Sequence, residues 1–316
     1  MLYSPAPMHV PDGFLSTLVS LIMWFLSILC VGYALRKAGK DLGERQVPVM
    51  GVLAATIFAG QMLNFSVAGG TSGHLLGAAI ATILLGPWAA VIVMTSVVSI
   101  QALVFQDGGL LALGANIFNM AVVGVNVAYF VHASMRKILG NQNWAILVSG
   151  AISAWTSIVV TAFACALELA FSGTSPANIA IPAMGGIHML IGIGEALITV
   201  GTLSFLFNTR RDLLDLSKSG QSDARTVWLL GLGLALFLVI FAPFASTHPD
   251  GLEWVAKQNG FLDKARAPIF SLLPDYIVPG VSNQAFATVA AGMIGVLLVF
   301  GVVVGLALLR KKSKSS

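Results

Sequence analysis

Long apolar stretches separated by short polar or basic clusters set the plan of this chain. Nine stand out, at roughly 14–35, 48–67, 74–86, 88–105, 110–135, 144–171, 185–208, 227–246 and 286–309, and the two on either side of Gly86-Pro87 are short. A helix needs about 17–25 apolar residues to cross a bilayer. Inside a membrane no water satisfies the backbone, so only helices or closed barrels span it. The pattern therefore predicts an all-α polytopic membrane protein. The first stretch has no adjacent basic segment ahead of it and no small-residue cleavage site behind it, so it reads as a retained helix.

Basic residues orient the predicted spans, because Lys and Arg in short loops collect on the cytoplasmic side. With the N-terminus outside, the inner loops receive Arg36, Lys37, Lys40, Arg45, Arg136, Lys137, Arg210, Arg211, Lys218, Arg225, Arg310, Lys311, Lys312 and Lys314. Only Lys257, Lys264 and Arg266 remain outside, so fourteen of seventeen basic residues lie on one side. This asymmetry predicts nine spans with the C-terminus inside. Dropping one short span near Gly86 would move Arg136 and Lys137 to the wrong face.

Composition agrees with the pattern. The chain is 57% hydrophobic and 9% charged, against about 25% charged in soluble domains. Its net charge of +4 follows from topology and implies no nucleic-acid partner. Cys30 and Cys165 fall near opposite faces, which predicts two separate apolar thiols. Segmentation gives an extension at 1–7, a seven-helix unit at 8–208, a polar cytoplasmic linker at 209–226, and a two-helix module at 227–316. Between the last two helices lies an outer segment holding His248-Pro249-Asp250-Gly251-Leu252-Glu253. The Pro-Asp-Gly at 11–13 recurs at 249–251 and reads as turn chemistry.

Candidate chemistry gathers on the outer side. Were Met8 the first residue, its amine, the His9 amide nitrogen and the His9 Nδ1 could close two chelate rings on one ion. A planar nitrogen set suits Ni(II) or Cu(II) better than tetrahedral Zn(II). His74 follows a glycine-rich loop, Gly69-Gly70-Thr71-Ser72-Gly73, a composition tolerated at membrane depth only where protein buries it or it lines a cavity. His9 and His74 are the predicted ligands. His188 and Glu195, two helical turns apart on one face, form a deeper polar network, and His248 is a further outer histidine. Asn116 and Asn119 share a helical face; they read as interhelical hydrogen bonds or as support for a ligand. Glu168 is expected in the membrane interface.

Taken together, Met8-His9-Val10-Pro11-Asp12-Gly13-Phe14-Leu15-Ser16, Asn64-Phe65-Ser66-Val67, Gly70 through Gly77, Gln106-Asp107-Gly108-Gly109 and Gly192-Ile193-Gly194-Glu195-Ala196 resemble the CbiM/NikM family. These are substrate-binding membrane components of energy-coupling-factor importers for cobalt and nickel in bacterial and archaeal cell membranes. The tail resembles the PDGLE domain of the companion CbiN/NikN subunit, which implies a fusion of the two. The resemblance implies Met8, His9 and His74 as metal-holding residues, with Asn64, Gln106, Asn116, His188 and Glu195 in support. Seven residues ahead of Met8 depart from the family pattern. No resident cofactor is implied, and the transported ligand would be Ni(II) or Co(II). Since the chain has no Gly-x-x-x-x-Gly-Lys-Ser/Thr loop, ATP hydrolysis would fall to partners, namely a transmembrane coupling subunit and two ATPases.

Two other readings compete. Gly70-Thr71-Ser72-Gly73 fits the short pattern of intramembrane serine proteases, with Ser72 as nucleophile and His188 as base. Alternatively, Glu195 could serve as the coupling carboxylate of an ion-driven permease.

Overall fold

The computed structural model describes residues 8–41, 46–140, 142–211 and 224–312; the 1–7 extension and most of the 209–226 linker lie outside them. Eleven α-helices organise those residues: α1 (Thr17–Asp41), α2 (Gln46–Gln61), α3 (Ala78–Leu85), α4 (Pro87–Val104), α5 (Leu113–Ile117), α6 (Gly124–Leu139), α7 (Asn143–Phe171), α8 (Ala177–Thr209), α9 (Ala224–Val239), α10 (Gly251–Gln258) and α11 (Gln284–Lys312). A two-stranded hairpin, β1 (Phe65–Val67) and β2 (Thr71–Gly73), joins α2 to α3. Seven segments are long and apolar enough to cross a membrane, with α5, the π-helical turn Phe118–Val123 and α6 counted as one. The protein is an all-α multi-pass membrane protein.

The expected segments reappear with two local corrections. The 48–67 stretch stops being helical at Gln61, because Phe65 and Val67 enter the hairpin, pairing with Gly73 and Thr71. Its turn rests on Gly69 and Gly70, at φ 79° and 75°, a conformation glycine adopts without a Cβ penalty. The 74–86 stretch contributes only the eight residues of α3. At 1.5 Å per residue that is about 12 Å of helix, and with the loop ahead of it the segment runs from His74 beside His9 to Trp88 beside Tyr33 near the far end of α1. Residues 74–77 are held instead as a loop. The 88–105 stretch forms the full 18-residue α4, opened by Pro87 at the first helical position, where its missing N–H costs nothing.

The two parts of the chain share one core. Helix α2 is buried along nearly its whole length, with α9 and α11 of the C-terminal module against it and α4 on another side. Small residues set these approaches, as is usual between membrane helices. A Cβ on Gly51 would lie 2.5 Å from Val304, and one on Gly231 only 2.1 Å from Val52. The outward faces of α1, α8, α9 and α11 carry exposed Leu, Ile and Phe, as lipid contact requires. Cys30 and Cys165 are free thiols.

Candidate metal centre

Three segments meet at one end of the bundle. The first is residues 8–16, which lie buried across the turn between α4 and α5. Asn116 grips Val10 at two points, accepting from its N–H at 3.0 Å and donating Nδ2 to its carbonyl at 3.1 Å. The Gly109 N–H also donates to the Val10 carbonyl at 3.0 Å. Asp12 accepts from the N–H of Ala112 at 2.9 Å and of Leu110 at 3.1 Å. Ser16 then caps α1 by accepting from the Val19 N–H, a preferred N-terminal residue in that role.

The second segment is the loop carrying His74. Both Glu195 oxygens accept backbone N–H groups just beyond it, from Leu76 at 2.7 Å and Gly77 at 2.9 Å, while Gln61 donates to the Leu76 carbonyl at 3.0 Å. All four groups are buried, so each unmade bond would cost about 1–3 kcal/mol. Glu195→Gln keeps the shape but puts an amide NH2 against one of the two N–H donors. The variant is expected to lose roughly 2–3 kcal/mol of stability and to weaken metal binding through a looser His74. A thermal-melt series in detergent with parallel nickel titration checks both effects.

The third segment belongs to the C-terminal module. The Pro249 carbonyl accepts from the Ser72 N–H at 2.8 Å, and Ser72 Oγ donates to the His248 carbonyl at 2.8 Å. Asp250 caps α10 by accepting from the Glu253 N–H at 2.8 Å, and its other oxygen stands 3.9 Å from His74 Nδ1. The Pro-Asp-Gly turn thus lies directly on the β2–His74 segment.

Between these segments is a cavity of about 80 Å³, bordered by Met8, His9, His74, Asn116, His188 and Asp250 among others. The rings of His9 and His74 are 5.7 Å apart between centroids and inclined at 67°. That separation lets both reach one ion at the usual metal–nitrogen distance of about 2.0 Å. His9 is buried, and neither ring nitrogen has an aligned hydrogen-bond partner. Its Nδ1 does lie 3.0 Å from Asp107 Oδ1, and the same oxygen accepts from Met8 N at 2.7 Å. Among the described residues no three His, Cys, Asp or Glu side chains converge on one point. What the cavity offers is two imidazoles and main-chain nitrogen.

The two imidazoles differ in charge. Burial, and then the neighbouring His9, push the His74 imidazole down to about 3, leaving it neutral with a free lone pair. Burial alone would lower His9 too, but the charge of Asp107 outweighs it and holds His9 above its ordinary value. Asp107 is correspondingly held below the usual carboxylate range: burial opposes ionisation, but His9, the Tyr276 hydroxyl and the Met8 N–H outweigh it.

The remaining expected residues divide. His188 borders the cavity and bonds the Met184 carbonyl through Nδ1 at 2.8 Å. Asn64 and Gln106 do not border it. The Asn64 backbone carbonyl accepts from the Ser246 N–H, and Gln106 Oε1 accepts from the N–H of Leu272, so both positions contact the C-terminal module. Glu168, in the last turn of α7, is buried and accepts from Asn119 Nδ2 at 2.8 Å. Ser72 donates to backbone carbonyls and His188 to Met184, so the nucleophile–base contact of a serine protease is missing. Glu195 spends both oxygens on the loop backbone.

Four residues that hold this arrangement escaped the sequence reading. Asp107 lies in the Gln106-Asp107-Gly108-Gly109 motif, whose sequence alone does not separate its role from that of Gln106. Asp12 and Asp250 each sit in a Pro-Asp-Gly and were credited with turn formation only. Tyr276 carried no signal at all.

Known proteins resemble this chain over nearly its whole length. Residues 9–213 match the family model for the cobalt uptake substrate-specific transmembrane region, CbiM, and residues 225–312 match the PDGLE domain. The chain is 35% identical to a putative fused nickel transport protein NikMN of Archaeoglobus fulgidus over 96% of its length and 98% of that relative. It is 30% identical to the fused nickel transport protein NikMN of Rhodobacter capsulatus over 92% of its length and 95% of that relative. A crystal structure of a transition metal transporter superposes with a TM-score of 0.59 at 34% identity, covering 68% of this chain and all of that one. The chain belongs to the CbiM/NikM family of nickel and cobalt transport membrane proteins, with a PDGLE domain fused behind the CbiM region.

Proposed function

We propose that this chain is the substrate-binding subunit of an ATP-driven nickel or cobalt importer, with its metal site on the extracytoplasmic side. The ion is held by the Met8 amine, the His9 amide nitrogen and Nδ1, and His74. One observation carries the reading: the buried His9 ring, its Nδ1 3.0 Å from Asp107, faces His74 across a small cavity beside the Met8 nitrogen. Such a nitrogen set favours planar coordination, hence Ni(II). A separate coupling subunit and two ATPases supply the energy, as the absent phosphate-binding loop requires. Lys and Arg asymmetry supports an outside N-terminus, which puts capture on the outer face. Residues 8–208 form the metal-binding unit and 227–316 the fused NikN-like module.

The amine ligand requires that the mature chain begin at Met8. The Met8 nitrogen lies 2.7 Å from the Asp107 carboxylate, an arrangement suited to an ammonium group before metal loading. His9 is too large to favour removal of an initiator Met8. Intact-mass measurement of the purified protein is expected to give a chain starting at Met8. A mature chain starting at Met1 that binds nickel with full affinity would rule out the amine as a ligand.

A further inference from the structure

We propose that Tyr276, in the fused C-terminal module, is a positioning residue for the metal site and acts through Asp107; the inference rests on the metal-site reading above. The Tyr276 hydroxyl donates to Asp107 Oδ2 at 2.6 Å. The other oxygen of that carboxylate lies 2.7 Å from Met8 N and 3.0 Å from His9 Nδ1. A carboxylate pinned at one oxygen keeps a fixed plane, so the hydroxyl sets where Oδ1 points and thereby steers the Met8 nitrogen and the His9 ring. Metal-binding histidines commonly depend on such outer partners for ring orientation, and their loss typically weakens binding by about 10–100-fold.

The backbone around Tyr276 is built to deliver that hydroxyl. Asp275 and Tyr276 are consecutive non-glycine residues at φ 53° and 58°, a left-handed conformation that persists only where its surroundings enforce it. Here they do. Leu273 and Asp275 donate N–H groups to the carbonyls of Val104 and Phe105 at 3.0 and 3.2 Å, and Leu272 donates to Gln106 Oε1 at 3.1 Å. The Tyr276 ring, 1% exposed, stacks on Phe105 at 4.7 Å with the planes 14° apart. Packing alone would be served by phenylalanine at this position. Beside a contact with the Gln101 side chain, the hydroxyl's hydrogen bond goes to the carboxylate beside the proposed ligands.

The test uses the full chain in detergent with Ni(II) as the probe. Tyr276→Phe keeps the stacked ring and removes the bond. It is expected to weaken Ni(II) binding about tenfold and to shift the ligand-field absorption of the bound ion, with the melting temperature of the metal-free protein near wild type. Asp107→Asn weakens binding, and the double variant is no worse than Asp107→Asn, because the hydroxyl acts only through that carboxylate. Wild-type affinity and spectrum in Tyr276→Phe, or losses that multiply in the double variant, would overturn the proposal. If His9→Ala abolishes binding while Tyr276→Phe does not change it, this inference falls alone. If His9→Ala also leaves binding intact, the metal-site reading falls with it.

Discussion

Replacing His9 or His74 by alanine is expected to abolish nickel binding at micromolar metal while leaving the helical bundle folded. Structural metal sites supply about 10–16 kcal/mol over their ligands, so one nitrogen among four is worth about 3–4 kcal/mol, several hundred-fold in affinity. His9→Ala loses more, because the same side chain fixes the ring that completes the chelate with its own amide. Neither residue is part of a helix: His9 lies ahead of α1, and His74 lies in the loop ahead of α3. Equilibrium dialysis with metal analysis of the two variants decides the matter, and undiminished binding in both would overturn the site.

The pH dependence has a definite sign. Asp107 holds the metal-free His9 imidazole above its ordinary value against the effect of burial, and the ion must displace that proton. Affinity for Ni(II) is therefore expected to fall as pH drops through the raised His9 range, the His9 proton contributing up to about tenfold per pH unit. His74, held at about 3, stays neutral throughout and adds nothing to this slope. A dialysis series from neutral to mildly acidic pH measures it; an affinity that does not change with pH would mean that the ring is not a ligand.

Much of this arrangement was legible in the chain because its causes are local. Apolar length fixes which segments become α1, α4, α7, α8 and α11, and the segment from Met8 to Ser16 declares its coordination chemistry without reference to anything distant. The glycine-rich approach to His74 likewise announces irregular backbone. What stayed hidden depends on pairings between residues about 100 or more positions apart. Met8 meets Asp107 and Val10 meets Asn116, and Leu76 meets Glu195. Spacing along one helix says that Asn116 and Glu195 point inward; it does not say onto which backbone. Asp107 illustrates the limit most clearly, since only its contacts with both Met8 and Tyr276 distinguish it from a turn residue. The loop ahead of α3 is hidden for a related reason: Glu195, far away in sequence, holds the backbone of Leu76 and Gly77.

Gly109→Ala is expected to cost about 100-fold or more in nickel affinity although Gly109 touches no metal. A Cβ there would stand 2.1 Å from Asp12 Oδ1, 2.4 Å from its Cγ and 2.2 Å from its backbone nitrogen. The oxygen alone could swing aside, but the backbone nitrogen cannot, and Asp12 is further tied by the N–H groups of Leu110 and Ala112. The segment must therefore lift by about 1 Å, which stretches the Gly109 to Val10 bond of 3.0 Å and moves His9 with it. Constellations of ligands tolerate about 0.5 Å of misplacement, and 1 Å is enough to cost about two orders of magnitude. The direct packing penalty is smaller, about 1–3 kcal/mol, and falls on the loop rather than on the α7–α8 pair. Gly201→Ala, where an added methyl meets nothing within 4 Å, serves as the control and is expected to bind nickel as wild type does. If Gly109→Ala binds as tightly as Gly201→Ala, then residues 8–12 are not held by the α4–α5 turn, and the ligand geometry must be set from the His74 side alone.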